Sequence, residues 1–112
     1  MSKNIFLDII EGKIPAEIIF QDEHCLAFHD ISPQAPTHVL IIPRKEIRTH
    51  NDIEPADAER LGAMHLAAQQ IARQLELTSY RLVINCEEGA GQTVPHLHMH
   101  LLGGRSLSWP PG

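Results

Sequence analysis

The sequence predicts an α+β domain in which one short and one long helix accompany a five-stranded, mostly antiparallel sheet. Three observations carry that prediction. Apolar residues recur at helical spacing near the N-terminus and again between residues 55 and 75. Five short apolar runs, at 18–21, 25–29, 38–42, 80–85 and 94–102, read as strands separated by polar or turn-forming residues. A chain of 112 residues suffices for one domain and is too short for two. About two-thirds of its extended surface is buried on folding, enough for a core without disulfides.

Each element has its own justification. Asn4 caps the first helix, whose Ile5, Phe6, Ile9 and Ile10 share a face; Gly12 stops it and Pro15 bars its continuation. Ile18–Gln21 and Cys25–His29 form a hairpin around the polar Asp22-Glu23-His24. Two prolines keep Ser32-Pro33-Gln34-Ala35-Pro36 irregular. His38–Ile42 is almost continuously apolar, which suits a strand central in its sheet. Glu54-Pro55 opens the long helix, with Asp57 and Glu59 in its first turn. Leu61, Met64, Ala68, Ile71 and Leu75 make its apolar stripe, opposite Arg60, Gln69, Gln70, Arg73 and Gln74. Gly62 suits close approach to another helix. A fourth strand at Tyr80–Asn85, a glycine-containing loop over Cys86–Thr93 and a fifth strand at Val94–Leu102 follow. Gly103-Gly104 ends the last strand, and the tail Trp109-Pro110-Pro111-Gly112 is too proline-rich for either regular form.

Composition excludes several classes of function. The net charge is −5 with histidines neutral, and no basic cluster exceeds Arg44-Lys45. A general nucleic-acid or anionic-membrane surface is therefore not expected. The longest apolar runs, such as Val39-Leu40-Ile41-Ile42-Pro43, fall far short of the ~20 residues that span a bilayer. Met1-Ser2-Lys3-Asn4 opens no signal peptide. Cys25 and Cys86 stand far apart without CxxC spacing, so a reducing, cytoplasmic setting is expected. Both cysteines read as small hydrophobes.

The chemistry concentrates in the histidines. Of eight, three fall in His96-Leu97-His98-Met99-His100. Strand alternation puts His96, His98 and His100 on one side, about 6.5–7 Å apart, and Leu97, Met99 and Leu101 on the other. The apolar side suits the long helix. The histidine side admits two chemistries. Alternating imidazoles can chelate a metal, or they can act directly as nucleophile and proton donors. His24, His29, His50 and His65 lack any such pattern and read as solvated residues.

Beyond the triad, four segments carry a family resemblance: Ile14-Pro15-Ala16-Glu17-Ile18-Ile19; Ala27 to His38, with its Phe28-His29-Asp30-Ile31-Ser32-Pro33 core; Gly91-Gln92-Thr93-Val94; and Leu102-Gly103-Gly104-Arg105 with the Trp109-Pro110-Pro111-Gly112 ending. In order and over essentially the whole chain they resemble the histidine triad (HIT) superfamily. The nucleotide-binding (Hint) branch is the closer likeness. The resemblance implies a single HIT domain over residues 1–112, its sheet extended across a two-fold homodimer. It implies hydrolysis of the P–N bond of adenosine or guanosine 5′-phosphoramidates, without metal or cofactor. Aminoacyl adenylates are further substrates by the same likeness, which would link the protein to aminoacyl-tRNA synthetases.

Roles carry over residue by residue. His98 would attack the α-phosphorus and form a nucleotidyl-histidine. His100 would contact phosphate oxygen or the leaving group, while His96 and His38 orient His98. Asn85, Gly91, Gln92 and Thr93 match the phosphate loop, and Asp30 the acid that binds ribose hydroxyls. Ile5, Phe6, Ile9, Ile14, Phe28 and Ile31 match the wall around the purine. The tail, 105–112, would bring Trp109 to the leaving-group side of the partner's site. Pro95 departs from the aromatic residue of related sequences, which bears on strand entry and leaving-group contacts. Three rivals remain open at this point. They are a dinucleoside polyphosphate hydrolase of the same superfamily, a noncatalytic nucleotide-binding or interaction module, and a metalloenzyme with His38 as fourth ligand. The short chain and its Trp-Pro-Pro-Gly end speak against the first.

Overall fold

The computed structural model describes residues 1 and 3–112. Ser2, part of the N-terminal tetrapeptide considered above, lies outside them. Five strands form one sheet: β1 (Ile18–Gln21), β2 (Cys25–His29), β3 (Thr37–Pro43), β4 (Tyr80–Val83) and β5 (Met99–Gly103). Their spatial order is β1-β2-β3-β5-β4, and every neighbouring pair is antiparallel. The nearly continuous apolar run of β3 does occupy the centre, buried from His38 through Pro43. Period-two alternation divides the sheet into two cores.

One face is covered by α2 (Ala58–Gln74). Cys25, Ala27, Val39, Ile41, Met99 and Leu101 pack there against Met64, Ala67, Ala68, Ile71 and Ala72. Ala67 and Ala72 widen the expected stripe; Leu61 and Leu75 sit at its margin, partly buried. The opposite face carries Leu26, Phe28, Leu40 and Ile42, and it is only partly covered. Its lid is the single short helix α1 (Ile5–Ile10), which contributes Phe6 and Ile9. That asymmetry leaves room beside α1 for a cleft.

Both ends of α1 follow the sequence. Leu7 N–H donates to Asn4 Oδ1 at 3.0 Å, satisfying one of the open donors of the first turn. At the far end Gly12 takes φ +74°. There Lys13 N–H reaches Asp8 O at 2.8 Å and Gly12 N–H reaches Ile9 O at 3.1 Å, closing the last carbonyls.

Three boundaries differ from expectation by two residues or more, and the ends of β3 and the last residue of β5 by one. The long helix begins at Ala58, because Pro55–Asp57 forms a separate 3-10 turn. The buried carboxylate of Asp57 fixes that turn, accepting from Glu54 N–H at 2.9 Å, Lys45 Nζ at 2.7 Å and Arg60 Nε at 3.1 Å. These donors, Lys45 foremost, hold its carboxyl below the usual carboxylate range. β4 stops at Val83, two residues before Asn85, since its pairing with β5 ends at Val83↔His100. β5 begins at Met99 rather than Val94. Pro95 has no N–H to pair, His96 N–H turns back to Val94 O, and Leu97 N–H is taken by Ile47 O. Among the described residues no helix is long and apolar enough to cross a membrane.

Candidate active site

The register puts the histidines on the α1 side. Leu40, which packs against α1, stands opposite His100, and His38 stands opposite Leu102. Residues directly opposite in an antiparallel pair share a face, so His38, Leu40 and His100 lie together. His96 and His98 precede the strand proper, yet Leu97, Met99 and Leu101 are all buried as alternation requires. His98 packs edge-on to His100, 5.0 Å apart by ring centroids. The Phe6 ring stands edge-on to His98 at 5.0 Å.

Fixed backbone groups determine where each imidazole proton resides. His98 Nδ1 lies 2.7 Å from the carbonyl of His96, so Nδ1 must donate and Nε2 keeps its lone pair. Gln34 N–H donates to His38 Nδ1 at 3.0 Å. The proton of His38 is therefore on Nε2, which donates to His100 Nδ1 at 2.9 Å. His100 Nε2 then carries an N–H, and this buried atom has no partner among the described residues. His96 Nε2 donates to Pro43 O at 2.8 Å, and its Nδ1 accepts from Asn4 Nδ2 at 3.0 Å. The site thus presents one bare nitrogen, on His98, and one unengaged proton, on His100. A nucleophile beside an N–H donor is an arrangement suited to attack on phosphorus with the charged oxygens held by hydrogen bonding.

Burial keeps these rings neutral. It pushes His98 below the ordinary histidine value, against the opposing pull of the His96 carbonyl and of Asp30. His38 and His96 are lowered, again mainly by desolvation. His100 is pushed down to about 4, by burial and then by its neighbours His98 and His38.

Next to the triad is a cleft of about 270 Å³, near the low end of small-ligand pockets, roughly 300–1,000 Å³. Ile5, Phe6, Ile9, Ile14, Phe28 and Ile31 all line it, as do Asp30 and Thr93. Ile31 is 98% exposed, an apolar side chain left open at the rim. Asp30 Oδ1 accepts from Ser32 N–H at 2.7 Å, and Oδ2 stands 3.5 Å from His38 Nε2. His29, read from sequence as a solvated residue, also lines this cleft, together with Pro15, Ala16, Leu40 and Val94.

In the glycine-containing loop, Gln92 faces inward, away from the phosphate contact that the resemblance implies for it. Gln92 is 2% exposed; its Oε1 accepts from Glu87 N–H and its Nε2 donates to the carbonyls of Arg48 and Val94. Its backbone N–H is bound to Glu87 O as well. Gln92 therefore has no donor left for phosphate and instead anchors the loop from beneath. Gly91 takes φ +100°, which favours glycine, and lies against the side chain of Asn85. Trp109 is 81% exposed in the single chain, and the tail is tied at Ser108 O, which accepts from Arg81 Nη2 at 2.8 Å.

A metal could be imagined at Asp30, His38 and His100, each of which brings one ligand-type atom within 4.8 Å of the others. The ion would need the lone pair of His38 Nε2. Gln34 N–H facing Nδ1 puts the proton on that very atom. The donor set does not suit a metal.

An antiparallel sheet that carries a chain of tautomer-locked histidines beside an apolar cleft defines a histidine-triad domain. The chain belongs to the HIT domain family, whose model matches residues 11–107. It is 50% identical over 109 residues to an uncharacterised HIT-like protein of Synechococcus elongatus, covering 96% of each. A HIT family hydrolase from Legionella pneumophila superposes with a TM-score of 0.93 at 49% identity, covering 98% of this chain and 100% of that one. A histidine triad nucleotide-binding protein from Candida albicans gives 0.82 at 28% identity, over 96% of this chain and 83% of that one.

Proposed function

We propose that the protein is a purine nucleoside phosphoramidase that works through a covalent intermediate on His98. The observation that carries this reading is the pairing of a bare His98 Nε2 with the unengaged His100 Nε2–H. In the first step His98 Nε2 forms a bond to the α-phosphorus while the P–N bond to the leaving amine breaks. The His100 Nε2–H donates a hydrogen bond to phosphate oxygen or the leaving group and keeps its proton. The departing amine takes a proton from a water molecule, and the hydroxide so formed attacks phosphorus, which releases the nucleoside 5′-monophosphate and restores His98. The purine lies among Phe6, Ile9, Phe28 and Ile31, and Asp30 binds the ribose hydroxyls. Likeness to a protein named for nucleotide binding and to one named a hydrolase supports both halves of the reading.

Pure protein dialysed exhaustively against EDTA is expected to hydrolyse adenosine 5′-monophosphoramidate at its undiminished rate. Product AMP is measured by chromatography, and elemental analysis should find no stoichiometric zinc. Activity restored only by added metal would overturn the mechanism. Binding of AMP without turnover would leave a nucleotide-sensing module.

The reading extends to a homodimer. The outward face of α2 leaves Leu66 68% exposed beside Gly62, where an added Cβ would meet nothing within 4 Å. A second copy would cover that face and bring Trp109 toward its neighbour's His98. Deleting Leu107 to Gly112 is expected to leave a dimer in sedimentation while changing kcat/KM unequally for leaving groups of different size. Equal changes for all leaving groups would return the tail to solvent, and a micromolar monomer would remove the dimer.

A further inference from the structure

Asn4 does two things that the sequence shows only one of. Its Oδ1 caps α1, the helix that supplies Phe6 and Ile9 to the cleft. Its Nδ2 donates both to His96 Nδ1 and to Glu46 Oε2, each at 3.0 Å. The orientation of the amide is forced at both ends. Leu7 N–H requires an acceptor from Asn4, and His96 Nδ1 requires a donor, because its Nε2 proton is committed to Pro43 O. His96 is fully buried, and it is the carbonyl of this residue that holds the proton of His98 on Nδ1.

We infer that Asn4 is a positioning residue: its amide ties the base-binding helix α1 to His96, and through His96 it aims the nucleophilic nitrogen of His98. Glu46 completes the clamp by taking the second amide proton, which keeps the Asn4 side chain from rotating away from the imidazole. The inference rests on the reading of His98 as nucleophile. Its physical content is that the wall around the purine and the attacking atom move as one body. A displacement of about 1 Å at a reacting atom costs up to ~100-fold in rate.

The test separates capping from positioning. Asn4→Asp and Asn4→Ser both keep an N-cap oxygen for Leu7 N–H; Asn4→Asp has no donor for His96 Nδ1, and Asn4→Ser, with a shorter side chain, loses the amide that makes the 3.0 Å contact. Both are expected to melt within a few degrees of wild type and to bind AMP with unchanged Kd. Their kcat for adenosine 5′-monophosphoramidate is expected to fall ~10–100-fold. Ring-nitrogen NMR, which needs no substrate, should show the His96 Nδ1 resonance shifted in both variants, with Nδ1 protonated when it faces the new carboxylate of Asn4→Asp. Wild-type kcat in both variants would overturn the inference. So would a rate loss matched by an equal loss of AMP affinity, or a His96 spectrum that neither substitution changes. Should the wild-type protein turn over no phosphoramidate, the functional reading fails by itself, and the His96 spectra still decide the Asn4 contact.

Discussion

Replacing His98 by alanine is expected to lower kcat by about four orders of magnitude or more, the scale seen when a covalent nucleophile is removed. Substrate binding should survive, since the cleft is built from Ile5, Phe6, Ile9, Ile14, Phe28, Ile31 and Asp30 and draws no wall from His98 itself. The kinetic signature is thus a collapse of kcat with AMP affinity nearly unchanged. Wild-type protein incubated with labelled substrate and denatured under alkaline conditions should carry an acid-labile phosphoramidate adduct on His98 alone. His96 cannot take that label, because one ring nitrogen is bound to Pro43 O and the other to Asn4. His100 presents a proton rather than a lone pair at its unengaged nitrogen. Label on either of those residues, or full activity in His98→Ala, would sink the assignment.

The fold was readable from the sequence wherever a local pattern had a single use. The hydrophobic run of 38–42 could be satisfied only at the centre of a sheet, and the 3-4-3-4 spacing after Pro55 only by a helix on its surface. Asn4 and Gly12 bounded α1 because caps act within a few residues. Legibility ended where a distant backbone group decided the outcome. The strand expected from Val94 is broken by the carbonyl of Ile47, about fifty positions away in sequence, which captures Leu97 N–H. Gln92 was matched to a phosphate-contacting position by the family resemblance alone. Its contact with Arg48 O depends on a segment no local pattern links to it. The triad was legible as three alternating histidines, but the site of each proton was not. Those sites follow from Gln34 N–H, Pro43 O and His96 O, groups that every residue possesses and that no motif records.

The same buried rings make stability depend on pH in a defined window. His38, His96, His98 and His100 all titrate below the ordinary histidine value in the folded chain, His100 at about 4, chiefly because burial disfavours the charged ring. Unfolded, the four rings return to the ordinary value of roughly 6.5. Above that pH neither state binds the protons, and the stability associated with the neutral rings is complete. As the pH falls from about 6.5 toward 4, the unfolded chain takes up protons that the folded chain refuses, so stability falls. A depression from 6.5 to about 4 at His100 alone corresponds to about 3 kcal/mol. The carboxylates act in a different range. Asp22 and Asp57 are held below the ordinary carboxylate range, so the stability they contribute is lost only under more acid conditions. Urea midpoints should therefore decline from about pH 6.5 downward, above the range in which Asp22 and Asp57 lose their contribution. His100→Asn removes one of the titrating rings while its amide oxygen can still accept from His38 Nε2. Its stability profile is expected to be shallower than wild type by about one proton across that window. A wild-type profile flat from pH 6.5 to 4.5, or a slope that His100→Asn leaves unchanged, would show that these rings do not carry the acid sensitivity.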